Sequence, residues 1–239
     1  MTRLDTRVAE ALGRAAVYTV LATAFDRPTP ERLQTLGVRA ETAARGARTT
    51  AEVGAALGRL AAAAAGADAG AVVAEHATLL DGPVRCSPYE GAWGPRQMAG
   101  KAAQLADVAG FYTAFGLAPT TWNAELEDHV GAECEFAAAL ALREAHALAT
   151  GSDEALAVTR AAAAAFLDDH LGRWAPSFAE ALGREAGTPV YRAAAALLSA
   201  WLVAETARVG VSPARATAAV PAEEAPFTCP MAPPDAPGD

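Results

Sequence analysis

Apolar residues recur along this chain at the three- and four-residue spacing of helices, and no useful stretch shows the two-residue spacing of strands. Leu4, Val8, Leu12, Ala15, Tyr18 (or Thr19), Ala22 and Phe25 mark one face and predict an amphipathic helix over 4–25. Pro28 ends that region. Thr29-Pro30-Glu31 supplies a cap, a first-turn proline and a first-turn acid, and so opens a short helix. Thr49 or Thr50 starts another, with Glu52 in its first turn favouring the helix dipole. Gly66 to Gly70 breaks the run, and Asp68 caps a helix bearing Val72, Val73, His76, Leu79 and Leu80.

Asp81-Gly82-Pro83 closes that helix, and the Gly, Pro and Ser from Val84 to Gly94 forbid a long regular element. Pro95 to Phe115 then carries Met98, Ala102, Leu105, Val108, Ala109, Tyr112 and Phe115, a stripe wide enough for the inside of a bundle. Gly116 serves as the residue after the helix, with Leu117 placed for the usual hydrophobic contact. Residues 126–149 predict a helix ending at Gly151, and Ser152 or Asp153 caps the next, which bears Leu156, Val158, Ala162, Phe166, Leu167 and Leu171. Pro176 limits that helix and starts a short one containing Phe178 and Leu182. Thr188-Pro189 repeats the cap-plus-proline start, and Val190 to Glu205 forms the last long helix. From Ser212 prolines recur and the pattern disappears, as expected of a disordered or loosely docked tail. The prediction is an all-α, single-domain helical bundle over 1–211 and a Pro-rich flexible tail over 212–239.

Composition narrows the function classes. Hydrophobic residues make up 52% of the 239, and 19 basic against 28 acidic residues leave a charge of −9. A phosphate backbone would repel such a chain, so nucleic acid is not an expected partner. Asp5, Arg7, Glu10 and Arg14 interrupt the first apolar run, so neither an export signal nor membrane insertion is expected. Cys86, Cys134 and Cys229 form no CxxC pair and no disulfide framework, which suits a reducing cytoplasm.

Most of the chain's polar and aromatic variety lies between Asp81 and Phe136. Glu125, His129 and Glu133 would share a face if the helix begins early enough to include Glu125, with Asp128 and Glu135 on a neighbouring face. A histidine among carboxylates suits a proton relay, a metal ligand or an anchor for a cationic peptide, and a solvated acidic helix start has the same composition. Asp128-His129 and Asp169-His170 could together build the carboxylate-and-histidine site of a metal-dependent enzyme, although neither has the Glu-x-x-His spacing of di-iron bundles. His170 falls at an expected helix end, where it would favour the dipole and the free carbonyls. Cys134 reads as a small core residue, Cys86 as a loop thiol, and Cys229 as part of the tail. There is no GxGxxG, GxxxxGK[ST] or GxSxG, so no catalytic residues are assigned.

Gly82-Pro83, Pro88-Tyr89-Glu90, the AGFYTAFGL segment, Glu125-x-x-Asp128-His129 and Glu133-x-Glu135-Phe136 occur in one order. That order resembles the TorD/DmsD/NarJ family of redox-enzyme maturation chaperones, and CSPYEG followed by LADVAGFYTAFGL looks closest to the branch serving dimethyl sulfoxide reductase-like molybdoenzymes. The resemblance covers roughly residues 1–210 and is strongest from 75 to 140. Leu126 and Glu127 stand where the family's motif usually has a proline, and Gly91 replaces a small polar residue. The resemblance implies a TorD-like helical bundle that is a cytoplasmic chaperone and not an enzyme. Its partners would be the apo catalytic subunit of a molybdopterin-containing oxidoreductase and that subunit's twin-arginine leader. No cofactor of its own is implied beyond transient contact with the client's molybdopterin guanine dinucleotide or a guanine nucleotide. The family leaves open a monomer or a helix-exchanged dimer.

The residues the resemblance points to are Tyr89, Glu90, Glu125, Asp128 and His129. Guanidinium groups of a leader suit the carboxylates of Glu90, Glu125, Asp128 and Glu133, and its apolar stretch suits Tyr89 and Trp93. Tyr112 and Phe115, on the wide helical stripe, belong to the core. The expectation is therefore one anionic cradle shared by the Tyr89-Glu90 loop and the His129 helix start.

Overall fold

Helices begin where a short polar side chain can take up a free N–H. In the computed structural model, which describes residues 3–81, 86–94, 98–117 and 127–217 (backbone alone over 98–102), no strand occurs among the described residues. The first helix, α1, runs Arg3–Phe25. The Thr29 hydroxyl accepts from Arg32 N–H and opens α2 (Pro30–Gly46), which at 17 residues is longer than the short helix expected. Thr50 caps α3 (Ala51–Ala65) through Val53 N–H, and Asp68 caps α4 (Ala69–Leu79) through Gly70 and Ala71. Helix α5 (Met98–Ala114) stops at Gly116, whose φ of +63° costs little without a Cβ. There the N–H groups of Gly116 and Leu117 turn back to the carbonyls of Thr113 and Tyr112.

Helix α6 spans Val130–Thr150 and α7 spans Asp153–Phe166. Pro176 does not end α7 or start a new helix; it lies inside α8 (Gly172–Glu185), and a π turn over Leu167–Leu171 joins α7 to α8 without a break. The wide turn shifts the hydrogen-bond ladder just ahead of the proline, so that Gly172 N–H reaches back to Leu167 O. Gly172 is needed there, because a Cβ would collide with the Leu167 carbonyl oxygen. Helix α9 (Pro189–Val209) starts where expected, but Thr188 makes no side-chain cap. The Glu75 carboxylate of α4 instead accepts from the N–H groups of Gly187 and Thr188.

The layers follow from apolar faces. α1 packs along α6, α2 on α3, α3 on α9 and α8 on α9. By length and composition α1 could cross a membrane, which the sequence reading did not anticipate, yet half of its most apolar window is buried and Val17, Tyr18, Val20, Leu21 and Phe25 belong to the core. Alanines fill many of the helix contacts, and large aromatic side chains gather around α8. Trp174, Phe178, Phe166, Tyr191 and Phe25 are all fully buried, each contributing about 2–3 kcal/mol of apolar burial. Glu144 of α6 receives both Arg14 of α1 and Arg160 of α7. Finally, the first six residues assigned to the tail are docked on the bundle. Ala216 N–H donates to Arg173 O at 2.8 Å and Thr217 O accepts from Gly94 N–H at 2.7 Å, so 212–217 lies against α8. Residues 218–239, with Cys229, lie outside the described residues.

Candidate functional site

Backbone hydrogen bonds fasten loop 86–94 to the bundle. Cys86 N–H donates to Leu79 O at the end of α4. Two residues on, Pro88 O accepts from Val130 N–H at 2.8 Å, and Glu90 N–H donates to Asp128 O at 2.9 Å. These two bonds flank an isolated antiparallel bridge between Tyr89 and His129. Asp128 also accepts Gly91 N–H on its carboxylate at 3.0 Å. A 3₁₀ turn over Glu90–Ala92 reverses the chain, and Trp93 closes the loop by donating its indole N–H to Ser87 O at 2.9 Å. The Tyr89 ring meets His129 edge-on at 5.2 Å.

α6 begins at Val130, later than the sequence suggested. His129 is its N-cap, with Nδ1 accepting from Gly131 N–H at 3.0 Å, so the neutral ring carries its proton on Nε2. Asp128 and His129 therefore stand before the helix, and His129 shares no helical face with Glu133. Glu125 itself lies outside the described residues.

Beneath the bridge lies a buried polar network. Glu90 is only 2% exposed, and its carboxylate lies 3.1 Å from His170 Nδ1. Glu133, fully buried on the first turn of α6, accepts the Trp174 indole N–H at 3.1–3.2 Å on both oxygens. Burial pushes the Glu133 carboxyl well above the usual range, and the neighbouring Glu90 and Asp128 push it further against the opposing Trp174 bond. His170 is no helix-end residue: the π turn points it inward, between Phe111 and Phe166 with each ring 5.4 Å away. Its Nε2 faces the carboxylate of Asp107 on α5 at 3.4 Å, and that carboxylate is 68% exposed.

The structure thus brings Tyr89, Glu90, Trp93, Asp128, His129 and Glu133 to one end of the bundle, with different exposures. Glu90, Asp128, His129 and Glu133 are buried, while Tyr89 and Trp93 are half-buried. Trp93 rests on Trp174 and Phe178 at 6.3–6.4 Å. Tyr112 is core, as expected, and its hydroxyl donates to Glu127 O, while Phe115 is half-buried on Phe136. Cys86 is buried, as is Cys134, whose thiol burial pushes up. Asp107 and Trp174, to which the sequence assigns no role, and His170, expected at a helix end or in an Asp-His metal pair, complete it. The available signal was Pro176 following an uninterrupted helical pattern, which calls for some local widening of the helix. No set of three or more His, Cys, Asp or Glu among the described residues is arranged to hold a metal ion. The two Asp-His pairs therefore do not combine as the metal-enzyme alternative requires.

The model of a family described as the nitrate reductase delta subunit matches residues 47–180, more than half of the chain. The matched region takes in loop 86–94, the bridge to His129, Glu133, His170 and Trp174. Among curated proteins, none matches this sequence. The chain belongs to the nitrate reductase delta subunit family, whose members are chaperones of molybdoenzyme maturation.

Proposed function

We propose that this chaperone binds the apo form of a molybdoenzyme catalytic subunit together with its twin-arginine leader, in the cytoplasm, and releases the subunit once its cofactor is in place. The observation that carries the proposal is the match over 47–180, which spans every element of the site. The geometry supports a division of labour within that site. Glu90, Asp128, His129 and Glu133 are buried and bonded inward, which fits them to hold the loop rigid. The half-buried rings of Tyr89 and Trp93 and the exposed carboxylate of Asp107 are then the groups left to meet a client. A loop fixed in advance loses little entropy on binding, and that favours affinity. The molybdenum cofactor is cargo of the client in this scheme.

Calorimetry with a synthetic peptide bearing two adjacent arginines and an apolar stretch tests the leader part. Binding is expected to weaken at least tenfold when the arginines become glutamines; equal binding of both peptides contradicts it. Retention of the apo subunit in a pull-down tests the client part.

A further inference from the structure

Residues 213–217 form a segment without regular secondary structure, held by the site loop on one side and by α8 on the other. Gly94 N–H of the site loop donates to Thr217 O at 2.7 Å, and Ala216 N–H donates to Arg173 O of α8 at 2.8 Å. Ser177 Oγ donates to Ala216 O at 2.7 Å, and Arg215 Nε donates to the same Ser177 oxygen at 3.1 Å. The Arg215 guanidinium pairs with the Glu180 carboxylate one turn further along α8. Pro213 lies where Gly172 has no side chain; a Cβ there would stand 2.8 Å from the proline ring.

Three of these contacts engage the main chain of the segment, and apart from Pro213 and Arg215 its side chains are alanine or threonine. Any extended chain could make the main-chain bonds, and any arginine in register could take Glu180. That is how proteins hold peptides by backbone while one pocket supplies selectivity. We infer that the groove between loop 86–94 and α8 is a docking site for an extended, arginine-bearing peptide, and that the chain's own residues 213–217 occupy it as a displaceable stand-in. The inference rests on the client-binding function proposed above and adds Glu180, now paired with Arg215, to Asp107 as a carboxylate that meets a client's arginine. A resident segment docked about nine-tenths of the time weakens an incoming peptide's apparent affinity about tenfold, so removing it has a measurable consequence.

The test uses a fluorescent synthetic peptide of residues 210–220, offered to the full chain and to a chain ending at Val211. The peptide should bind the shortened chain at least tenfold more tightly than the full chain. That binding should fall severalfold with Glu180→Ala in the protein or alanine replacing arginine in the peptide. Failure to bind the shortened chain, or equal binding to both, overturns the inference. If the shortened chain does not fold, as judged by its melting curve, full-length Arg215→Glu serves instead. It should bind the peptide severalfold more tightly than the unsubstituted chain, and unchanged binding overturns the inference. Addition of the apo catalytic subunit should displace the bound peptide. A subunit that binds without displacing it overturns the groove assignment and leaves the proposed chaperone function standing.

Discussion

His170 on the π turn and Glu90 in the site loop are separated by 80 positions in sequence, yet His170 Nδ1 and a Glu90 carboxylate oxygen lie 3.1 Å apart in the interior. This contact ties loop 86–94 to the α7–α8 junction. It also explains why a helix that could have continued regularly carries a wide turn: the turn aims His170 at the loop.

Replacing His170 by alanine leaves the Glu90 carboxylate buried without that partner. A loss of about 2–3 kcal/mol in unfolding free energy is expected, and chemical denaturation measures it. Because Glu90 is the partner, His170→Ala should cost much less in a Glu90→Gln background; an equal cost in both backgrounds would show that the contact carries no energy.

Gly172→Ala tests the π turn itself. The new methyl would press on the Leu167 carbonyl oxygen, so the turn must shift and carry His170 with it. A loss of at least about 2 kcal/mol is expected, although alanine is normally the better helix former. A variant that melts higher than the parent would refute the turn.

Glu133 makes stability fall with pH. Its carboxyl binds a proton more tightly when folded than when unfolded, where its value is about 4.3. Between the unfolded and the raised folded value the native state holds the extra proton, so stability declines as pH rises through that window and the penalty is complete above it. Glu133→Gln keeps an acceptor for Trp174 and removes the charge. It should be more stable than the parent by about 1–2 kcal/mol at pH 8, with the difference vanishing near pH 4. Parallel thermal melts across that range check it.

Glu144 behaves in the opposite sense. Burial raises its carboxyl, but the guanidinium groups of Arg14, Arg160 and Arg208 outweigh burial and hold it below the usual range. The stability it contributes is present above the unfolded value and is lost as pH falls through the depressed folded value. Glu144→Gln should therefore cost about 2 kcal/mol at pH 7 and almost nothing in strong acid, as read from melts at the two extremes.

Much of the fold was legible because local chemistry and tertiary packing agree. Thr29, Thr50 and Asp68 cap the helices they precede, and Gly116 and Gly151 end the helices they follow. Where the two conflict, local rules failed. Pro176 is a local stop signal, but the apolar face of Trp174, Phe178 and Leu182 is worth more buried in one continuous helix, and the π turn absorbs the proline. Thr188 has the residue type of a cap, yet a carboxylate from α4, more than a hundred residues away, takes that role. Within the site, the nearness of Tyr89-Glu90 to Asp128-His129 follows from a backbone bridge that leaves no period in the sequence. The partners of Glu90 and Glu133 come from α8 and the turn before it, and no spacing rule connects them.

Holding an unfinished client is the central role proposed for this chain. The direct measurement is its affinity for a molybdoenzyme catalytic subunit before and after cofactor insertion, by calorimetry at one salt concentration. A stoichiometric complex with the apo subunit, weakened at least tenfold for the cofactor-loaded form, is the predicted result. Equal affinity for both forms, or none for either, would contradict it.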